Sequence, residues 1–347
     1  MDVAVLFFVF IAGLVVGIPV AITLGVSSLA YLLIAGIPPV VMPQKMYAGM
    51  DVFVLLSIPG FILAGNLMNR GGITQRIIRF ANSIVGWIRG GLGLTNIAAS
   101  MLFGGITGTA VADAASIGGV MIPGMKKAGY PADFSAAVTA ASSTVGPIIP
   151  PSVPMIIVGA LSGISVGQMF LAGAVPGILM GVAMMVTAYV ISARRNFPRQ
   201  EWQGFGEVAR SFGGAFWALA MTFLIIYGLL SGLATPTETA IVASVYAFIV
   251  GAFIYRELPI SKLPGIIVES GTSAAGILAL VGFANVFGWI LVSERIPQAI
   301  ADGVLGFTDN KFLVILLINL LLLFVGMFME TIAALIILFV PLLSLAE

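Results

Sequence analysis

The chain has 347 residues, of which 60% are hydrophobic and 8% are charged, and its formal net charge is +1. Soluble domains carry about 25% charged residues, so a chain this poor in charge cannot cover a surface that faces water. The near-zero net charge does not favour nucleic acid as a partner, and the lack of cysteine and histidine excludes disulfides, thiolate or imidazole metal sites and Ser-His catalysis from this chain.

Long apolar runs follow one another from the N-terminus, and each is long enough to cross the roughly 30 Å hydrocarbon layer of a bilayer as a helix. The chain is therefore predicted to be an all-α, polytopic (multi-pass) membrane protein. The first run begins with an acidic residue and is too long for a signal peptide, so we expect a retained span. The predicted spans are 3–35, 53–69, 131–163, 167–193, 208–230, 237–255 and 263–291.

Four further segments do not fit a single membrane-crossing helix. The stretches 92–125 and 311–346 are too long and are interrupted by glycine or polar residues, which predicts two re-entrant helical hairpins. Segments 73–88 and 296–305 are amphipathic, a pattern typical of helices that lie along the membrane interface. Lys and Arg concentrate around the first hairpin and in 194–210, which places both on the cytoplasmic side and the second hairpin on the opposite side.

The first stretch able to bind a ligand is 104–113, which reads GGITGTAVAD. Its glycines let the backbone turn within the membrane, and its hydroxyl and carbonyl groups are oxygen ligands of the kind that suit Na⁺. Gly104 and Gly108 also have the spacing of close helix–helix packing, which is the structural alternative. Asp113 favours a functional site, because a carboxylate within the membrane is costly.

The second stretch, 142–154, reads SSTVGPIIPPSVP and contains four prolines within eight residues. Each proline removes a backbone donor and clashes with the preceding turn, so a continuous helix cannot run through this stretch. Apolar helix on both sides predicts a discontinuous span at mid-depth, and a surface loop between two separate helices is the alternative. In the broken span, Ser143 and Thr144 add hydroxyl groups to the freed carbonyls of Val145 and Gly146.

The third stretch, 232–240, reads GLATPTETA and predicts a helix start. Thr235 is placed as the N-cap, Pro236 as the first helical residue and Glu238 as the third, which together form a capping box. This structural role explains the motif, and no catalytic role is expected for it.

The two halves of the chain show a weak inverted repeat, a recurring design of secondary transporters. Segments 61–82 and 283–304 share the order of span, polar break and amphipathic helix. Each is followed by a hairpin with an acidic residue near its turn, Asp113 in the first half and Glu330 in the second.

The predicted domain organisation follows from this repeat. We expect a first repeat over 1–195, made of scaffold spans, the interfacial arm helix, the first hairpin, the broken helix 131–163 and a final span. A cytoplasmic linker over 196–210 leads to a second repeat over 211–347. Since that repeat stops after its hairpin, we expect the complete protein to continue for about 70–80 residues, by analogy with the first repeat.

With these stretches, the sequence resembles the large permease subunit of tripartite ATP-independent periplasmic (TRAP) transporters, the DctM-like family, over essentially the whole chain. The most specific motifs of the resemblance are GGITGTAVADAASIGGVMIPGM, STVGPIIPPSVPMIIVG, GLATPTETA and GMFMETIAAL. The resemblance implies a permease subunit in the bacterial inner membrane for the Na⁺-driven import of organic anions, such as C4-dicarboxylates or sialic acid. It also implies an elevator-type fold, in which a scaffold holds a mobile domain of hairpins and broken helices.

The resemblance points to the first hairpin, the broken helix and the second hairpin as the transport site. The substrate-binding residues expected from the residues and the resemblance together are Thr107, Gly108, Thr109, Asp113, Ser143, Thr144, Glu330 and Thr331. The expected Na⁺ ligands are Gly105, Gly108, Ser143, Thr144, Val145 and Gly146. No catalytic residue and no cofactor other than the coupling ion Na⁺ is expected, although Asp113 and Glu330 could relay protons instead.

The implied partners are a small four-helix membrane subunit, a periplasmic substrate-binding protein, a small organic anion and the lipid bilayer, and no nucleic acid. The alternative is a stand-alone elevator-type anion carrier or ion antiporter that needs no binding protein. An intramembrane enzyme is disfavoured, because neither paired aspartates nor a Ser/His set is visible. A gated channel would need a pore lined by charges or carbonyls.

Overall fold

The computed structural model describes residues 2–307, 310–327, 329 and 331–346, and over these residues the chain is helical without a strand. The α-helices of the described part, in chain order, are α1 Asp2–Val16, α2 Val20–Ile34, α3 Val41–Met50, α4 Ser57–Arg70, α5 Ile73–Val85, α6 Gly91–Thr107, α7 Ala110–Lys127, α8 Ala132–Ser143, α9 Val153–Ser162, α10 Val166–Arg194, α11 Phe205–Leu230, α12 Pro236–Ile249, α13 Leu263–Ser293, α14 Ile296–Phe307, α15 Lys311–Gly326 and α16 Thr331–Ala346.

Helices of membrane-crossing length are confirmed for five of the predicted spans. Within the described residues, the segments that are long and apolar enough to cross a bilayer are Phe53–Arg70, Val166–Arg194, Phe205–Leu230, Pro236–Ile254 and Ile260–Ser293. Many large apolar side chains on them are exposed, among them Leu179, Phe223 and Val268. Such a surface is stable in contact with lipid and not with water.

The predicted single span over 3–35 is wrong, because the chain forms two helices there, α1 and α2, which pack against each other. Gly17 has a left-handed φ of 85°, which a helix cannot continue, and Pro19 supplies no backbone N–H. The packing is close: a Cβ atom at Gly13 would lie 2.7 Å from the Cγ2 atom of Thr23. The glycine and the proline were the sequence signals for this turn.

The interrupted segments are confirmed as paired helices. The stretch 92–125 forms α6 and α7, and 311–346 contains α15 and α16, with contacts within each pair. The broken helix 131–163 forms α8 and α9 with a non-helical stretch between them, and the two amphipathic segments form α5 and α14.

The chain divides into two compact units, Met1–Leu55 with Ala274–Glu347 and Leu56–Ser273. Within the first unit, the C-terminal half of α13 receives two contacts from residues of the N-terminal segment. The Tyr31 hydroxyl donates a hydrogen bond to the Glu294 carboxylate at the end of α13, and the Asn285 side-chain amide donates to the Lys45 carbonyl at 2.7 Å. This unit is therefore held together by segments more than 200 residues apart.

The second unit contains α4 to α12 and the first part of α13. Its helices α4 and α12 pack closely, since the Ser244 hydroxyl donates to the Gly60 carbonyl at 2.8 Å. Three ion pairs join the arginines of α4 and α5 to later parts of the unit: Arg70–Glu269 at 2.6 Å, Arg76–Glu257 at 2.7 Å and Arg79–Glu207 at 2.7 Å.

The capping box at the start of α12 is confirmed. The Thr235 hydroxyl accepts a hydrogen bond from the backbone N–H of Glu238 at 3.3 Å, and the Glu238 carboxylate accepts one from the backbone N–H of Thr235 at 2.7 Å. Both donors belong to the group of N–H groups that a helix start leaves without an intrahelical partner.

We expect Thr235→Ala to lower the free energy of unfolding by about 1 kcal/mol, because the cap hydroxyl is lost. The measurement is the thermal unfolding midpoint of the purified protein in detergent. Thr272→Ala is the matched control, since the Thr272 hydroxyl donates within its own helix to the Val268 carbonyl at 2.8 Å. Equal midpoints for the two variants would contradict the capping role.

Candidate functional site

The first hairpin turns over two residues between α6 and α7. Gly108 ends α6 with a left-handed φ of 62°, and its backbone N–H donates to the Gly104 carbonyl at 2.9 Å. A side chain at this position would be strained by the backbone conformation, and its Cβ atom would lie 2.8 Å from the Pro151 carbonyl oxygen. Thr109 is extended and precedes α7, with no side-chain capping bond.

The break between α8 and α9 is a buried turn and not a surface loop. Val145, Gly146 and Pro147 are all buried. At the far end, the Ser152 hydroxyl accepts a hydrogen bond from the backbone N–H of Met155 at 3.3 Å and donates one to the Pro147 carbonyl. Ser152 thus starts α9 as its N-cap and also closes the turn before it.

The hairpin turn and the broken helix meet through their backbones. A Cβ atom at Gly104 would lie 2.6 Å from the Cα atom of Gly146, and one at Gly105 would lie 2.9 Å from the Pro150 carbonyl oxygen. The glycines of the first stretch therefore do provide close packing, as the structural alternative required. These glycines pack against 142–154, which is the second stretch predicted to bind a ligand. The structure therefore brings the two predicted stretches together.

Asp113 lies in the first turn of α7 and is fully buried. Neither of its carboxylate oxygens has a hydrogen-bond partner. The hydroxyls of Ser100 and Ser143 are close enough to interact with the carboxylate, but neither reaches hydrogen-bonding geometry. The N-terminal end of α7 favours a negative charge, yet a buried and unpaired carboxylate remains costly. A bound cation or a proton would remove that cost.

A buried polar network joins α6 and α8, and the sequence analysis did not predict it. The Asn96 amide donates to the Thr139 hydroxyl oxygen at 2.7 Å, and the Ser100 and Ser142 hydroxyl oxygens lie 3.1 Å apart. All four residues are buried. Asn96 and Ser100 are four residues apart, and Thr139 and Ser142 are three residues apart, so each pair lies on one face of its helix. This spacing of polar residues is the sequence pattern that indicates such a network.

The expected Na⁺ ligands differ in what their oxygen atoms already contact. The Val145 carbonyl accepts N–H groups from Ile148 at 2.9 Å and Ile149 at 3.0 Å, which occupies both of its lone pairs. The Ser143 and Thr144 hydroxyls donate to backbone carbonyls of α8, at 2.8 Å and 2.7 Å, so their own oxygen lone pairs remain available. These two oxygens are thus better placed than the Val145 carbonyl to hold a cation.

Three further substrate-binding positions were expected, and the structure treats them separately. The side chain of Thr107 and the whole of Glu330 lie outside the described residues. Thr331 begins α16, which belongs to the other compact unit. Of the other expected substrate-binding positions, Gly108, Thr109 and Asp113 of the hairpin lie against the broken helix, Asp113 near Ser143, whereas Thr144 is exposed and its hydroxyl contacts the Ala141 carbonyl of α8.

The donor set fits Na⁺. The buried Asp113 contributes a carboxylate, Ser143 near it contributes a hydroxyl oxygen, and the two helix breaks contribute backbone carbonyls. All of these are hard oxygen donors, and unwound carbonyls of this kind coordinate Na⁺ in secondary transporters.

Comparison with known proteins gives the family of the chain. Residues 7–347 match the family described as "Tripartite ATP-independent periplasmic transporter, DctM component". The chain belongs to the DctM family. As a DctM protein with several helices of membrane-crossing length, it is a multi-pass protein of the bacterial inner membrane.

Several curated relatives support the DctM assignment. The sialic acid TRAP transporter large permease protein SiaM of Vibrio cholerae is 43% identical over 323 residues, which cover 93% of this chain and 76% of SiaM. The C4-dicarboxylate TRAP transporter large permease protein DctM of Vibrio cholerae is 36% identical over 356 residues, covering 95% and 78%. The 2,3-diketo-L-gulonate TRAP transporter large permease protein YiaN of Escherichia coli is 36% identical over 321 residues, covering 92% and 76%. These relatives are named as transporter subunits and not as enzymes.

We expect Gly104→Ala to destabilise this chain by about 1–3 kcal/mol, because the added methyl group meets the backbone of Gly146 rather than a flexible side chain. Thermal unfolding in detergent measures this loss. Gly119→Ala in α7 is the control, since a Cβ atom there has no heavy atom within 4 Å. A Gly104→Ala protein as stable as the control would argue against the backbone contact.

Proposed function

We propose that this chain is the membrane permease subunit of a Na⁺-coupled secondary importer of small organic anions of the C4-dicarboxylate or sialic-acid type. The observation that carries the proposal is the meeting of two helix breaks beside the buried, unpaired carboxylate of Asp113. The names of three relatives add support, since sialic acid, a C4-dicarboxylate and 2,3-diketo-L-gulonate all carry carboxylate groups.

The proposed partners follow from the tripartite nature of the family. One is a small four-helix membrane subunit that binds the permease, and the other is a periplasmic binding protein that delivers the substrate. Family membership favours this assembly over a stand-alone carrier.

In the proposed site, Na⁺ is held by Asp113, by the hydroxyl oxygens of Ser143 and Thr144, and by the freed carbonyls of Gly105 and Gly146. The ion supplies positive charge next to a carboxylate that has no other partner. The substrate anion then benefits from that charge and from the backbone N–H groups at the start of α7 and α9, where helix dipoles favour negative charge.

The chain's own groups would also orient the substrate. The Thr109 hydroxyl makes no capping bond and is half-buried beside the hairpin turn, so it is available to a ligand. We place the substrate-binding residues at Gly108, Thr109, Asp113, Ser143 and Thr144. Thr107, Glu330 and Thr331 remain proposed contacts by resemblance.

The movement that accompanies transport is proposed to be of the elevator type. Its basis is the inverted repeat, with a first repeat over 1–195, a cytoplasmic linker over 196–210 and a second repeat over 211–347. The hairpin and the broken helix pack tightly through glycines, so they are expected to move as one body when the ion and the anion are bound.

We expect uptake of labelled sialic acid or a C4-dicarboxylate into liposomes to require both an inward Na⁺ gradient and the binding protein. The assay uses the complete permease with its neighbouring small subunit. Uptake without binding protein would point to a stand-alone carrier, and uptake that is indifferent to the Na⁺ gradient would contradict Na⁺ coupling.

We expect Asp113→Asn to lower the Na⁺-dependent uptake rate at least about tenfold, because the amide keeps the shape of the side chain but removes the charge that binds the ion. Asp133→Asn is the control, since Asp133 is exposed and lies 3.8 Å from Arg195 in a surface pair. Na⁺-dependent uptake at the rate of the unchanged protein would rule out Asp113 as an ion ligand.

A further inference from the structure

One side chain from outside the hairpin and the broken helix reaches the site. The hydroxyl of Thr222, in α11, donates a hydrogen bond to the carbonyl oxygen of Gly105 at 3.2 Å. Gly105 lies in the last turn of α6, where backbone carbonyls have no N–H partner within the helix. The partner of this carbonyl is thus supplied by a helix 117 residues further along the chain.

This bond departs from what threonine usually does in an apolar helix. A threonine hydroxyl commonly donates to the carbonyl four residues earlier in its own helix. In this chain Thr139, Thr187 and Thr272 do so, at distances between 2.8 and 2.9 Å. Thr222 uses its only proton on the hairpin instead, so the contact is directed between helices.

The backbone at Gly105 is confined from two sides. A Cβ atom there would lie 2.9 Å from the Pro150 carbonyl oxygen of the broken helix and 3.2 Å from the Cγ2 atom of Thr222. The methyl group of Thr222 therefore contacts the chain at Gly105 while its hydroxyl group binds the carbonyl. Both contacts are made at the residue whose carbonyl is an expected Na⁺ ligand.

We propose that Thr222 is a positioning residue for ion binding: its hydroxyl fixes the Gly105 carbonyl so that one lone pair accepts the hydrogen bond and the other faces Na⁺. A carbonyl oxygen has two lone pairs, so the hydrogen bond and the cation do not compete for the same one. This inference rests on the proposed function, because Gly105 is a ligand only if Na⁺ binds at the hairpin. It adds α11 to a site that otherwise consists of the hairpin and the broken helix.

The test uses the complete permease with its partner subunit and compares Thr222→Val, which keeps the shape and removes the donor, with Thr222→Ser, which keeps the donor. Thr187→Val is the matched control, because the Thr187 hydroxyl donates within α10 to the Ala183 carbonyl at 2.9 Å. Binding of Na⁺ is measured without transport, as the rise in the thermal unfolding midpoint when NaCl replaces choline chloride.

We expect the apparent dissociation constant for Na⁺ to rise about five-fold in Thr222→Val and to stay within about two-fold of the unchanged protein in Thr222→Ser and Thr187→Val. In proteoliposomes, the Na⁺ concentration for half-maximal uptake should rise by the same factor in Thr222→Val. The uptake rate at saturating Na⁺ should change less than about two-fold, since the hydroxyl acts on binding of the ion. If Thr222→Val does not yield folded protein, Thr222→Ala takes its place.

An unchanged Na⁺ dissociation constant in Thr222→Val would overturn the inference, even if uptake falls. So would an equal increase in Thr222→Ser, because the hydroxyl would then not be the cause. Absence of any Na⁺-dependent stabilisation in the unchanged protein would also overturn it. Na⁺-dependent stabilisation without Na⁺-dependent uptake would contradict the proposed function. The role of Thr222 would then still be supported by a higher Na⁺ dissociation constant in Thr222→Val.

Discussion

The structure depends on one constraint, which is that backbone N–H and C=O groups within a bilayer must find partners inside the protein. A continuous helix meets this constraint unaided, and a broken helix does not. Here the hairpin turn and the break between α8 and α9 lie against each other, with Gly104 and Gly146 allowing the two backbones to touch. Ser152 and Thr222 then supply side-chain donors to the Pro147 and Gly105 carbonyls. These two bonds give carbonyls at the breaks a partner inside the protein, where no helical N–H group reaches them.

The fold could be predicted from the sequence where its signals are local. Apolar length predicted the membrane-crossing helices, and the prolines of 142–154 predicted the break, because each removes a donor that a helix needs. The capping box at Thr235 was equally local, since its three residues act within one turn. The turn at Gly17 does not follow from apolar length, because the apolar residues on both sides of it form a run long enough for one span.

The candidate site could be predicted only in part. Its two stretches were identified from glycine, proline and hydroxyl content, but their meeting at Gly104 and Gly146 is a tertiary contact between positions 42 residues apart, and the composition of either stretch does not contain it. The network of Asn96 with Thr139 is of the same kind, because each residue taken singly looks like an ordinary polar residue in a helix. The bond from Thr222 to the Gly105 carbonyl could not be predicted, since it depends on which helix lies beside the hairpin.

The division of the chain into two compact units bears on the order of assembly during synthesis. The unit Leu56–Ser273 is continuous, so all of its contacts can form once Ser273 has been made. The other unit joins Met1–Leu55 to Ala274–Glu347, so α1 and α2 must wait for most of the chain before partners such as Glu294 exist. At about 5–20 residues per second, synthesis from the end of α2 to Glu294 takes on the order of 13–50 s. During that time α1 and α2 can pack against each other but lack the hydrogen bond from Tyr31 to Glu294 that links this segment to the end of α13.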